Sequence, residues 1–326
     1  MSASAHSFWP THSSGTRFAF GTGDDVNRPL DARRCTVQLS TGRLYLDAIA
    51  SPATALLGHD LPPTPAVGAA AAHRLLSSLE RSYTCVAMTE NFADAVDFAE
   101  RLARSLSGAR GRVVEVNALA GEPASDPYVL IARENETLGR SGRWLASAAW
   151  RRTPELVVVG DAITLGFPFG AVLARRDFGE EFETACTDAI QDEVADPTTL
   201  ARVAAAITTV EREGLLQHGR ELASYLFSRL LAVQRTCPEI AGVEVTGLSF
   251  RIATAPPLSA AQVRRGMCER GVLTGVDELG RLAIEPPLPL RIAEADVITG
   301  ALRGAILRLP HVSASACCAS CENTPE

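Results

Sequence analysis

The sequence predicts an α/β protein built on a mostly parallel sheet flanked by helices, with a smaller α+β domain attached. Three observations carry this. Short, continuous apolar runs, such as VLIA at 129–132 and LVVV at 156–159, alternate with longer amphipathic segments, the pattern of strands buried on both faces beneath helices. After residue 240 the pattern changes to paired extended runs and two helical segments, which suits a separate α+β module. A chain of 326 residues, 46% hydrophobic and 21% charged, has the material for a sizeable core and is not generally disordered.

Each element follows from its own local signal. Residues 35–51 read as two alternating apolar runs about Thr41-Gly42, a hairpin. Leu57-Gly58-His59-Asp60 and Pro62-Pro63 punctuate the chain before a helix at about 66–81. Residues 83–88 form a strand, and 91–107 a helix whose apolar positions Ala95, Phe98, Ala99 and Leu102 share one side. Residues 112–116, 128–132, 156–159 and 171–174 are further short strands. From 177 to 234 helices dominate, broken at Asp196-Pro197 and near Gly214. Then come a strand-like stretch at 243–253, a helix at 260–270, extended pieces at 271–274 and 281–284, and a helix at 294–307. Nothing periodic follows His311.

These elements divide the chain into a flexible N-terminal arm (1–34), a hairpin belonging to the small domain (35–62), a large α/β domain (63–213), a C-terminal α+β module (214–310) and a disordered, Cys-rich tail (311–326). The formal net charge of -7 gives no broad electrostatic footprint for nucleic acid or acidic lipid, and pairs such as Arg33-Arg34 and Arg151-Arg152 read as solvated surface. No run approaches the roughly 18–20 apolar residues of a membrane span. The Ser- and His-rich start lacks a secretory apolar core, so a cytoplasmic protein is expected. Cys35, Cys85, Cys186, Cys237 and Cys268 are scattered singly and read as reduced structural thiols. Cys317, Cys318 and Cys321 crowd the tail as CCxxC, a weak candidate for a soft metal or redox chemistry because one tail offers little to fix a tetrahedral site.

Every basic residue is arginine: all 31 positions counted as Lys or Arg are Arg, and the chain contains no lysine. Arginine replaces lysine on a surface at little cost, but it stays protonated and cannot serve as an amine nucleophile. This matters because several segments, in order, resemble class III aminotransferases of the ornithine and diaminopelargonate type. TGRLYLDAIASPATALLGHDLP is similar to the family's N-terminal motif, and ENFADAVDFAERLAR to its strand-to-helix turn. RENETLGRSGR resembles the DEVQTGFGRTGK stretch, ELVVVGDAITLGFPFGAVLARRDF the strand, lysine and glycine-rich segment after it, DPTTLARVAAAITTVEREGLL the Asn-Pro helix, and IEPPLPL the Pro-Pro-Leu turn. The resemblance implies a reduced aminotransferase-like fold and a pyridoxal phosphate site.

The departures from the family pattern fall on that site. The resemblance places the imine-forming lysine at Asp161, and a carboxylate cannot form an imine. It places the aspartate that keeps the pyridine nitrogen protonated at Arg133, the phosphate-cradling Ser-Gly pair at Asn91-Phe92, and the neighbouring subunit's phosphate-binding threonine at Asp192. The carboxylate-binding arginine falls on Ala283, with Arg281 nearby. Between Val114 and Tyr128 the family has several more strands and helices. No cofactor is therefore expected, pyridoxal phosphate being the one the family would supply.

Arg133 and Asp161 either converge as an ion pair inside the remnant pocket or have drifted apart to the surface. Asp161, Asp192 and Glu134 form a candidate acid cluster for acid–base work or metal binding. His59 reads as architectural and His218 as a surface or capping residue, since neither has a named partner. Three functions follow: a degenerate aminotransferase-like protein that does not transaminate and binds or scaffolds a partner, with bacterial specialised metabolism as the expected setting; a cofactor-independent isomerase, cyclase or hydrolase using Asp161, Glu134 and Arg133; or a tail whose cysteines do the work. Dimerisation is the family habit, so a homodimer, or a heterodimer with an active paralogue, is expected.

Overall fold

A computed structural model describes residues 29–39, 42–49, 56–59, 69–107, 112–123, 129–164, 166–180, 182, 184 and 197–308. Asp192, Cys186 and the tail cysteines Cys317, Cys318 and Cys321 lie outside the described residues.

The large sheet has five strands: β4 (Tyr83–Thr89), β5 (Val113–Asn117), β6 (Val129–Arg133), β7 (Leu156–Val159) and β8 (Gly170–Arg175). Their order is β4-β8-β7-β6-β5. β5, β6 and β7 are parallel, while β8 pairs antiparallel with both β7 and β4. Four strands thus point one way and β8 the other. β7 explains why its sequence is continuously apolar. Leu156 and Val158 face one core and Val157 and Val159 the other, and all four are fully buried.

Helix α2 (Phe92–Ser107) covers the first face with Ala95, Phe98, Ala99, Leu102 and Ala103, spaced to form one stripe. Each of its large buried side chains contributes about 1.5–3 kcal/mol on leaving water. Phe98 meets Phe182 edge-on, with ring centroids 6.0 Å apart. On the other face lie α1 (Ala69–Ser77), through Leu76, and α3 (Pro197–Arg212), through Leu200, Val203 and Ile207. Buried Glu155 ties the strand starts together, accepting from the Leu130 N–H (2.8 Å) and pairing with Arg152 (3.1 Å) and Arg175 (3.3 Å).

α4 (Leu215–Thr236) leads to a second sheet of β9 (Ile240–Thr246), β10 (Ser249–Thr254), β12 (Gly275–Val276) and β13 (Leu282–Ile284), in the order β12-β13-β10-β9. The strand-like stretch expected at 243–253 is two strands of a hairpin. Its apolar pattern runs through the turn, and Gly247, at φ +58, reverses the chain without a side chain to obstruct it. α5 (Ala260–Glu269), opened by a Ser259–Gln262 capping box, packs beside this sheet, and α6 (Ile292–Arg308) packs on α5 and α4.

A third sheet orders β1 (Pro29–Arg33), β2 (Thr36–Leu39), β3 (Leu44–Asp47) and β11 (Val272–Leu273) as β1-β2-β3-β11. The hairpin expected about Thr41-Gly42 is therefore present in β2 and β3, with Gly42 at φ +78, and it completes its sheet with a strand from the C-terminal module. Free cysteines Cys35 and Cys237 are buried and Cys85 and Cys268 half-buried, consistent with structural thiols.

Candidate functional site

Because β4, β6 and β7 run the same way, their carboxyl ends share one end of the large sheet, the place where open α/β sheets commonly hold ligands. Asn91 and Phe92 follow β4, Glu134 and Asn135 follow β6, and Gly160 and Asp161 follow β7.

Asn91 caps α2. Its Oδ1 accepts from the Asp94 N–H at 3.0 Å, and its Nδ2 donates to the Asp94 carboxylate. The Phe92 ring turns toward β7, and a Cβ on Gly160 would lie 2.6 Å from a Phe92 ring carbon and 2.8 Å from Asn135 Oδ1. Asn135 Nδ2 donates to Asp161 Oδ1 (2.7 Å), and its Oδ1 accepts from the Ala162 N–H (3.1 Å). One amide thus fastens the exit of β6 to the 310 turn Asp161–Thr164. Burial pushes the Asp161 carboxyl above its ordinary range, against the opposing pull of the Asn135 hydrogen bond.

Glu134 is fully buried and points away from this meeting point. It accepts from the Ala146 N–H (3.1 Å), the Ser147 N–H (2.7 Å) and the Thr137 hydroxyl. Desolvation holds its carboxyl above the usual range despite those donors. With both oxygens engaged, Glu134 orders the loop after β6 and offers no free carboxylate.

The Arg133–Asp161 ion pair is not formed. Arg133 Nε lies 2.8 Å from Glu115 Oε1, without the alignment of a hydrogen bond, while Asp161 bonds Asn135. Strand alternation is the reason. Arg133 shares the face of Ile131, which looks toward α2, and Glu115 on the neighbouring strand stands directly opposite Ile131 on that face. The acid cluster likewise does not assemble from Glu134 and Asp161, and no group of metal-binding residues occurs among those described.

The remaining candidates are structural. His59 Nε2 is 3.0 Å from Asp47 Oδ2, and His218 Nε2 is 2.8 Å from the Leu290 carbonyl. Arg281 pairs with Asp277 (2.8 Å) and Glu244 (2.6 Å). Ala283 is buried beside Arg251 in register, and Arg251 bonds Glu285 at 2.6 Å. Sequence reasoning missed Asn135, Arg251 with Glu285, and Arg140. Arg140 is 2% exposed, and its Nη1 donates to the carbonyls of Glu285 (3.2 Å) and Pro286 (2.9 Å). In the run RENETLGRSGR nearly every position is polar, so pattern alone does not say which side chains turn inward.

The mixed sheet, its two helical layers and the small module completed by an N-terminal hairpin define an aminotransferase-type fold. Ornithine aminotransferase from Plasmodium yoelii superposes with a TM-score of 0.74 at 16% identity, covering 89% of this chain and 96% of that one. Acetylornithine aminotransferase from Elizabethkingia anophelis gives 0.71 at 16% identity, covering 90% and 97%. The family model for aminotransferase class-III matches residues 125–306, and the chain belongs to that family. It is 25% identical over 170 residues to acetylornithine aminotransferase from Archaeoglobus fulgidus, covering 52% of this chain and 42% of that relative. It is also 25% identical over 125 residues to an alanine/serine racemase from Pyrococcus horikoshii, covering 38% and 26%. The chain spans less than half the length of these curated relatives. No helix among the described residues is long and apolar enough to cross a membrane.

Proposed function

We propose that this protein is a class III aminotransferase-like chain that does not transaminate and acts instead by binding a partner. The observation that carries the reading is at the exit of β7. There stands Asp161, the position that the sequence resemblance gives to the family's imine-forming lysine, its carboxylate held by Asn135, in a chain without lysine.

Pyridoxal phosphate would supply an electron sink, but the residues present do not fit it. Its aldehyde needs an amine, and Asp161 offers a carboxylate. Its ring nitrogen needs an acidic partner, and Arg133 is a cation turned toward Glu115. Its phosphate needs open N–H groups at a helix start, and the first turn of α2 already carries Asp94 bonded to Asn91, with Phe92 against Gly160.

A dimer, with a second copy or with an active paralogue, is the setting that the family relationship favours; a cytoplasmic location and a place in bacterial specialised metabolism belong to the same proposal. A second reading, cofactor-independent acid–base chemistry, draws on one observation: burial raises the carboxyl of Asp161, as a general acid requires. The bond from Asn135 to Asp161 and the engaged oxygens of Glu134 count against it.

Purified protein incubated with pyridoxal phosphate and passed through a gel-filtration column is expected to emerge without cofactor absorbance. Stoichiometric retention, or turnover of an amino donor, overturns the proposal.

A further inference from the structure

We infer that the crevice at the carboxyl end of the large sheet is filled by the chain's own side chains, with Phe92 and Asn135 in the place of a planar ligand and Asp94 in the place of its anion. The inference rests on the non-transaminating reading above and concerns what closes the site.

Three observations converge on it. Gly160 has no side chain, yet the space before it is taken, since a Cβ there would collide with both the Phe92 ring and Asn135 Oδ1. Asn135 spans from the exit of β6 to the turn after β7, its Nδ2 on Asp161 Oδ1 (2.7 Å) and its Oδ1 on the Ala162 N–H (3.1 Å). At the start of α2, where backbone N–H groups and the helix dipole favour an anion, the Asp94 N–H is consumed by Asn91 Oδ1 and the carboxylate of Asp94 supplies the negative charge. None of Asn91, Asp94, Asn135 and Asp161 has a buried side-chain polar atom left without a partner. Asn91 is bonded to Asp94 and Asn135 to Asp161, and the space over Gly160 is occupied by the Phe92 ring.

Pyridoxine 5′-phosphate is the suitable probe, because it carries the ring and phosphate but no aldehyde, so the missing lysine does not bear on its binding. Thermal unfolding is followed for the wild type and the double variant Phe92→Gly, Asp94→Asn, each with and without millimolar probe. The wild type is expected to show no shift. The double variant is expected to melt about 5 °C lower without probe, having lost a packed ring, and to recover at least about 2 °C with it, in a concentration-dependent way. If the double variant does not fold, the milder pair Phe92→Leu, Asp94→Asn is read by the same shift. Stabilisation of the wild type by the probe sinks the inference, as does a folded variant that gains no response. A wild type that binds pyridoxine phosphate yet does not transaminate defeats this inference alone, whereas transamination by the wild type defeats the functional proposal.

Discussion

At the scale of single residues, the end of β7 is decided by a carboxylate placed where burial works against its charge. The folded-state carboxyl of Asp161 is raised by desolvation, so the folded chain holds that proton more tightly than the unfolded chain does. Stability from this group is therefore present at acid pH and lost as pH rises through the folded value. Asp161→Asn keeps an oxygen for Asn135 and removes the titration. The variant is expected to be at least as stable as wild type at neutral pH, the gap closing as pH falls into the ordinary carboxylate range. Urea midpoints measured across pH check this, and an unchanged pH slope in the variant refutes it. That an aspartate stands at the exit of β7 is legible in the sequence, because the apolar run Leu156–Val159 stops at Gly160-Asp161. Its partner was not legible. Which polar residue of Glu134, Asn135 and Glu136 turns toward Asp161 depends on the path of the loop after β6, and a polar run carries no period to reveal it.

Among the elements, α2 shows how much a local signal can specify. Its apolar stripe at Ala95, Phe98, Ala99 and Leu102 reads directly as a buried face, and each of those residues is buried. Its start is equally local, with Asn91 accepting from the Asp94 N–H. Asn91→Ala is expected to cost about 1 kcal/mol of stability, the usual loss of a cap, measurable as a shift in denaturation midpoint without a change in slope. The strands were legible for the same reason, as short apolar runs, but their directions were not. Nothing in Gly170–Arg175 distinguishes a strand running against its neighbours from one running with them, since both are buried on two faces. The β9–β10 hairpin reads in the sequence as a strand-like stretch at 243–253 because apolar residues continue past the turn, where Gly247 takes a positive φ.

For the whole molecule, the decisive contacts join segments remote in sequence. The loop after β6 meets the β9–β10 turn, where Leu248 N–H donates to the Arg140 carbonyl at 2.9 Å and a Cβ on Gly247 would sit 2.2 Å from that same oxygen. Gly247→Ala must adopt an unfavourable φ and also push against backbone, so it is expected to cost on the order of 2–3 kcal/mol, seen as an earlier unfolding midpoint. Such pairings leave no trace in composition or periodicity, which is why the hairpin could be read from residues 35–51 while its partner strand could not. That partner has a further consequence. β3 pairs with β11, and Arg43 beside it donates to the Glu269 carbonyl 226 positions later. Without β11 the hairpin would have its β3 edge unpaired and the apolar side chains of Val37 and Tyr45 without Leu273 and Cys268 to cover them, so its closure depends on a strand more than 220 residues further along. The consequence is a sheet of high contact order, whose edge is protected only when two remote segments meet.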